Sequence, residues 1–228
     1  MYLTGTLATV DMLTHMPEQN KNTKKILAHF KKADPIIYAV MKDIDFNKWL
    51  APRIKKRTAR GYFYALCREI IGQQLSGRVA DIIIARFRDL FPGSRITPQA
   101  VLRLKDEKLR GVGMSWSKVS FIKDLASKVE NKEIQLTALS GLDDEEVVRE
   151  LTEIKGIGPW TAEMFLIFTL GRENIFSYGD LGLRKALSRL YHIKKPSPKQ
   201  KARIVDTWSP YKSYGSIALW HSLDEGKA

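Results

Sequence analysis

The chain has 228 residues, with 38 Lys or Arg against 25 Asp or Glu and a formal charge of +13 at pH 7. Hydrophobic residues make up 44%, enough to pack one domain or two small lobes, so disorder is excluded as the default; the basic excess favours a polyanionic partner, nucleic acid ahead of a membrane surface. The single cysteine, Cys67, excludes an internal disulfide, a zinc ribbon and a four-cysteine iron–sulfur cluster, and His15, His29, His192 and His221 have no metal-ligand spacing.

In chain order, Met1 to Gly5 lack the basic region and apolar core of a signal peptide, and no apolar run nears the ~20 residues that cross a bilayer. A soluble intracellular protein is the expectation. Leu3 to Val10 is the one stretch that reads as a marginal strand. A basic helix over Lys24 to Lys32 ends at Asp34-Pro35, and a short helix over Ile36 to Met41 precedes a break at Ala51-Pro52. Lys55, Lys56, Arg57 and Arg60 form a basic run that reads as a solvated linker. From Tyr62 apolar residues recur at helical spacing through Leu66, Ile70 and Ile71. They break at Gly72-Gln73-Gln74-Leu75-Ser76-Gly77 and resume at Val79, Ile82, Ile83, Phe87 and Leu90. Further helices are predicted over about 98–109, 117–130, 143–154, 160–170, 181–191, 198–208 and 213–223. Asp143 with Glu146 has the spacing of a capping box, and Ser197-Pro198 that of an N-cap with a first-turn proline. The fold class is all-α.

The most informative stretch is Leu151-Thr-Glu-Ile-Lys-Gly-Ile-Gly-Pro-Trp-Thr-Ala162. A helix ends near Ile154, a tight turn follows at Gly156-Ile157-Gly158, and Pro159 suits the first turn of the next helix. The neighbouring N–H groups and the helix dipole suit an anion such as one DNA phosphate, held without reading sequence. The same turn reads equally as an ordinary glycine connection; the positive charge favours the phosphate. Leu109-Arg-Gly-Val-Gly-Met-Ser-Trp-Ser-Lys118 is either a second backbone contact through Lys118 or a structural turn with Lys118 facing solvent.

Lys155 to Ala162, followed by Ser177-Tyr-Gly-Asp-Leu-Gly-Leu-Arg-Lys185, resembles the helix-hairpin-helix DNA glycosylase superfamily, in particular its AlkA-like 3-methyladenine branch. The likeness runs upstream through Gly72-Gln-Gln-Leu-Ser76 and downstream through Ser213-Tyr-Gly-Ser-Ile-Ala-Leu-Trp220, covering roughly residues 60–223. It implies two helical lobes with an active cleft between them: one from about 1–60 plus 176–228, the other, bearing the hairpin, from about 61–175. The implied activity is a monofunctional glycosylase that acts as a monomer on duplex DNA with damaged bases. It would flip out 3-methyladenine, with 7-methylguanine as the second candidate base, and hydrolyse the N-glycosidic bond.

Asp180 precedes an amphipathic helix and reads as an N-cap; the resemblance makes it also the catalytic carboxylate. A fixed negative charge stabilises the oxocarbenium-like sugar and can orient or deprotonate the attacking water. An alkylated purine leaves as a neutral base, so one carboxylate suffices. Trp160 stands where lyase branches carry a Schiff-base lysine, which leaves hydrolysis alone. Trp160, Met164, Tyr214 and Trp220 match base-pocket positions, where aromatic stacking contributes ~1–3 kcal/mol per base and a cationic base gains ~0.5–2 kcal/mol more. Tyr214 and Trp220, spaced with Ile217, read equally as core. Gln74 or Leu75 lies where the family places the wedge that fills the hole of a flipped base; a buried interhelix turn is the alternative. The implied backbone contacts are Lys155, Gly156, Gly158, Thr161, Arg184 and Lys118, with Lys185 beside Arg184. No organic cofactor is implied, and the hairpin carbonyls are a place where relatives can hold a monovalent cation. The rival readings are a non-catalytic helix-hairpin-helix binding module and a glycosylase with lyase activity.

Overall fold

The structure is a computed structural model that describes residues 18–46, 49 and 58–224. The expected strand at Leu3 to Val10, the Ala51-Pro52 break and the basic residues Lys55 to Arg57 lie outside the described residues. Among the described residues every regular element is helical. In chain order these are α1 (Glu18–Ala33), α2 (Pro35–Met41), α3 (Ala59–Gly72), α4 (Gly77–Asp89), α5 (Pro98–Arg103), α6 (Asp106–Gly111), α7 (Trp116–Glu130), α8 (Asp144–Thr152), α9 (Pro159–Phe165), α10 (Leu181–Leu190), α11 (Pro198–Asp206) and α12 (Lys212–Asp224). None is long and apolar enough to cross a membrane. The described residues form two compact units, 58–170 in one and 18–46, 49 and 171–224 in the other. The second boundary falls at Leu170–Gly171, before the expected position near 175, and Gly171 takes a positive φ of 72° there.

In the unit of 58–170, short polar side chains start the helices. Thr58, Thr97 and Ser115 each accept an N–H from the first turn of α3, α5 and α7. Asp143 and Glu146 form the capping box of α8 that their spacing predicts. The predicted helix over 98–109 is two helices, because Leu104 is extended (ψ 139°) between α5 and α6. The Lys123 ammonium donates to the carbonyls of Leu102 and Leu104 there, holding the end of α5 open. Helix α9 continues as a π-helical turn, Leu166–Leu170, so the predicted 160–170 segment is helical with a change of pitch. Phe63, Leu66, Cys67, Ile70, Phe87 and Phe165 are fully buried, and the Tyr62 and Phe165 rings meet edge to face at 5.9 Å.

In the other unit, α12 packs against α2, α10 and α11, and α1 against α2. Its core is aromatic, with Trp208 6.3 Å from Phe30 and 5.8 Å from Phe176 between ring centroids. Gly215 permits this packing, since a Cβ there would stand 2.3 Å from the Trp208 ring. Asp34, which the sequence marks only as a helix stop, is a buried carboxylate with a full set of donors. Its Oδ1 accepts the N–H groups of Ile36 and Ile37, and its Oδ2 accepts Tyr191 Oη–H at 2.5 Å and Trp208 Nε1–H at 2.8 Å. It caps α2 and ties α1–α2 to α10 and α11. Ser197 caps α11 as expected, and Gln200 completes a capping box that the sequence reading did not include.

Candidate active site

The hairpin lies wholly in the unit of 58–170. Helix α8 closes at Glu153, Ile157 N–H bonds the Ile154 carbonyl at 3.0 Å, and α9 opens at Pro159 with Gly158 as an N-cap that carries no side chain. The two glycines have different grounds. Gly156 has φ +80°, and an added Cβ would stand 2.1 Å from the Phe121 ring, so both backbone and packing demand glycine. Gly158 has an ordinary φ of −98°, and its Cβ would meet nothing within 4 Å. Neither backbone conformation nor packing inside the protein requires glycine there.

Helix α7 underlies this turn. Phe121 fills the space beneath Gly156, and one turn later Asp124 Oδ2 accepts the Lys155 N–H at 2.9 Å, with Lys155 Nζ 3.6 Å from Oδ1. The Lys155 ammonium is exposed, so this pair adds little stability and leaves the charge accessible. Thr161 is buried in the first turn of α9, where its Oγ1 meets the Gln73 amide at 3.4 Å. Gln73 Nε2 also donates to the Gly156 carbonyl at 2.8 Å. The next residue, Gln74, is exposed with φ +58°, and Leu75 is half-buried with its N–H on the Gly72 carbonyl. Of the two wedge candidates, Gln74 is the one whose side chain stands at the surface.

Lys118 is half-buried and has partners within the chain that neither sequence expectation included. Its Nζ donates to the carbonyls of Ile71 at 2.8 Å and Gln73 at 2.7 Å, at the C-terminal end of α3. Desolvation lowers its pKa from the ordinary lysine value. Trp160 is half-exposed on the first turn of α9, and Met164, one turn on, is buried.

The carboxylate lies in the other unit. Asp180 is 7% exposed and is the N-cap of α10, where Oδ1 accepts Leu183 N–H at 2.7 Å and Trp220 Nε1–H at 3.4 Å. Two donors on one oxygen fix the carboxylate plane, and the helix N-terminus favours negative charge there. The cap reading and the catalytic reading are therefore compatible in one geometry. Gly182 makes the arrangement possible: a Cβ there would stand 3.0 Å from Asp180 Oδ1 and 3.5 Å from the Trp220 ring. Tyr214 is buried on α12. Its hydroxyl donates to Glu173 at 2.9 Å, its ring meets Phe46 at 5.4 Å, and burial with the Glu173 charge raises its pKa. Arg184 is exposed on the first turn of α10, and Lys185 is half-exposed beside it.

Sequence reasoning missed Gln73, Phe121, Asp124, Gly182 and Glu173. For the α7 pair a signal existed, since Lys118, Phe121 and Asp124 recur at intervals of three and so share a face. Among the described residues no group of three or more His, Cys, Asp or Glu is placed to hold a metal ion.

Residues 67–210 match the HhH-GPD superfamily of base excision DNA repair proteins. A curated relative, the putative DNA-3-methyladenine glycosylase YfjP of Bacillus subtilis, is 32% identical over 162 residues, 68% of this chain and 56% of its own length. The chain thus spans little more than half of that relative. The crystal structure of a DNA-3-methyladenine glycosidase from Bacillus halodurans superposes with a TM-score of 0.72 at 29% identity, covering 92% of each chain. The Schizosaccharomyces pombe 3-methyladenine DNA glycosylase Mag1, solved in complex with abasic DNA, gives 0.67 at 25% identity, over 86% of this chain and 95% of that one. With the glycine hairpin and the capped aspartate both built as the sequence implied, the chain belongs to the HhH-GPD superfamily of base excision DNA repair proteins.

Proposed function

We propose that the chain is a monofunctional DNA glycosylase that binds duplex DNA as a monomer, flips out an alkylated purine and hydrolyses its N-glycosidic bond. The observation that carries this reading is Asp180, a buried carboxylate oriented by Leu183 N–H and Trp220 Nε1–H. A binding module needs no such group, whereas sugar chemistry does. The names of the relatives, 3-methyladenine glycosylases, support alkylated purines as the substrate class, with 3-methyladenine first and 7-methylguanine second.

In the proposed reaction the unit of 58–170 supplies the backbone clamp. The first turn of α9, open at Gly158, takes one phosphate, with Lys155 and the Thr161 backbone beside it; Arg184 on α10 meets another. Gln74 is the wedge. The base-pocket assignments, Trp160 and Met164 in one unit and Trp220 in the other, follow from the resemblance, an aromatic ring suiting a cationic base; Tyr214 supports the core of its own unit through Glu173. Water attacks C1′ of the deoxyribose, the C1′–N bond breaks, and its electron pair neutralises the alkylated ring. The Asp180 carboxylate stabilises the positive sugar and takes up the proton of the attacking water. Trp160 has no amine, so no Schiff base forms there and the abasic strand stays intact. A monovalent cation at the hairpin carbonyls would share Gly156 O with the Gln73 amide; no step depends on it, and no organic cofactor takes part.

The test is incubation with randomly methylated duplex DNA, followed by chromatography of released bases and electrophoresis of the strands. Free 3-methyladenine with uncut strands is the expected result. Binding without any released base would leave a DNA clamp, and strand breaks trapped by borohydride would reveal a lyase.

A further inference from the structure

We infer that Lys118 is a positioning residue for base flipping: it locks the turn carrying Gln74 and the hairpin carrying Gly156 into one rigid edge. The inference rests on the reading above, in which the Gln74 turn enters the duplex while the hairpin grips its backbone.

The last carbonyls of a helix have no intrahelical donors. At the end of α3, two of them, Ile71 O and Gln73 O, accept the Lys118 ammonium at 2.8 and 2.7 Å. Both are charge-assisted bonds and lie within a half-buried environment, where they are stronger than at the surface. The chain needs holding at this point. Gln73 leaves the helix with ψ 130°, and Gln74 follows in the left-handed region that non-glycine residues adopt only when their surroundings enforce it. Gln73 then extends the connection, since its amide reaches the Gly156 carbonyl at 2.8 Å and Thr161 Oγ1 at 3.4 Å.

The hairpin is tied to the same helix independently. Phe121 lies under Gly156, and Asp124 holds the Lys155 N–H. Residues 118, 121 and 124 therefore brace the wedge turn and the phosphate turn from one face of α7. Lys123, on a different face, makes a second lysine clamp, on the carbonyls at the end of α5. A side chain that must enter a base stack does so faster when its backbone is already ordered, because ordering it during the insertion would add to the barrier. Lys118 supplies that order without touching DNA.

The experiment compares wild type, Lys118→Met, Lys118→Arg and Gln73→Ala. The probe is a duplex with 2-aminopurine beside a 7-methylguanine, and a second, undamaged duplex measures affinity against salt. Stopped-flow fluorescence should show extrusion slowed about tenfold or more in Lys118→Met and Gln73→Ala, with partial rescue in Lys118→Arg. Affinity for undamaged duplex and its salt slope should stay within about twofold of wild type. A salt slope lower by about one in Lys118→Met would make Lys118 a phosphate ligand and overturn the inference. Wild-type extrusion rates in both non-rescue variants would overturn it too. If Lys118→Met does not fold, Gln73→Ala decides, because it cuts the link to Gly156 and leaves Lys118 in place; normal extrusion there, or failure of both to fold, reduces Lys118 to a folding role. Should wild type release base while the variants behave alike, only this inference falls; should wild type neither extrude nor release base, the glycosylase reading falls with it.

Discussion

Gly156 and Gly158 stand two residues apart, and a methyl group added to each has opposite consequences. At Gly156 it meets the Phe121 ring and a left-handed backbone, so Gly156→Ala should cost about 2–4 kcal/mol, read as a fall in urea midpoint. At Gly158 it meets open space at an ordinary φ, so Gly158→Ala should unfold within about 0.5 kcal/mol of wild type. Its DNA affinity should nonetheless drop about tenfold, because the methyl occupies the ground where a phosphate would approach. Unchanged affinity in a well-folded Gly158→Ala would show that the hairpin does not grip DNA. Gly182 follows a third logic. It is small so that Asp180 and Trp220 can meet, and Gly182→Ala would push on the carboxylate itself. Each glycine is legible as punctuation, but a sequence does not say which is set by backbone, which by packing and which by a ligand.

At the scale of elements, helix boundaries set by local chemistry were legible: the Asp143–Glu146 box, the Ser197 cap and the Asp180 cap all stand where their spacing placed them. The break at Leu104 was not, because the groups that hold it open come from Lys123, nineteen positions away. Lys118 shows the same limit. Its partners lie 47 and 45 positions upstream, and a lysine in a glycine-rich stretch of a basic protein reads as a DNA contact or as a solvent-facing charge, neither of which points to carbonyls that far along the chain. Asp34 is the strongest case. Before a proline it reads as a helix stop, while in the fold it collects donors from α2, Tyr191 and Trp208. Asp34→Ala would strand the Tyr191 hydroxyl and the buried Trp208 N–H, and thermal unfolding should show a loss of about 3–5 kcal/mol. A change below about 1 kcal/mol would mean the carboxylate is not the anchor of its unit.

For the whole molecule, the +13 charge set the expectation of a polyanion, and the family match supplies its place in DNA repair. Contacts to about six phosphates would cut affinity by on the order of 10³ between about 50 and about 200 mM salt. A flat response in a filter-binding or anisotropy titration would separate the charge from DNA recognition. The two compact units were foreseeable from the resemblance, though composition alone left one domain or two open. The most direct measurement is release of 3-methyladenine from methylated duplex DNA by the Asp180→Asn variant, paired with its affinity for an abasic-site duplex. Asparagine keeps the size and an oxygen for the α10 cap but lacks the charge, so base release should fall about 10³-fold while affinity stays within a few-fold. Release at the wild-type rate would contradict the assignment of Asp180 to the chemistry.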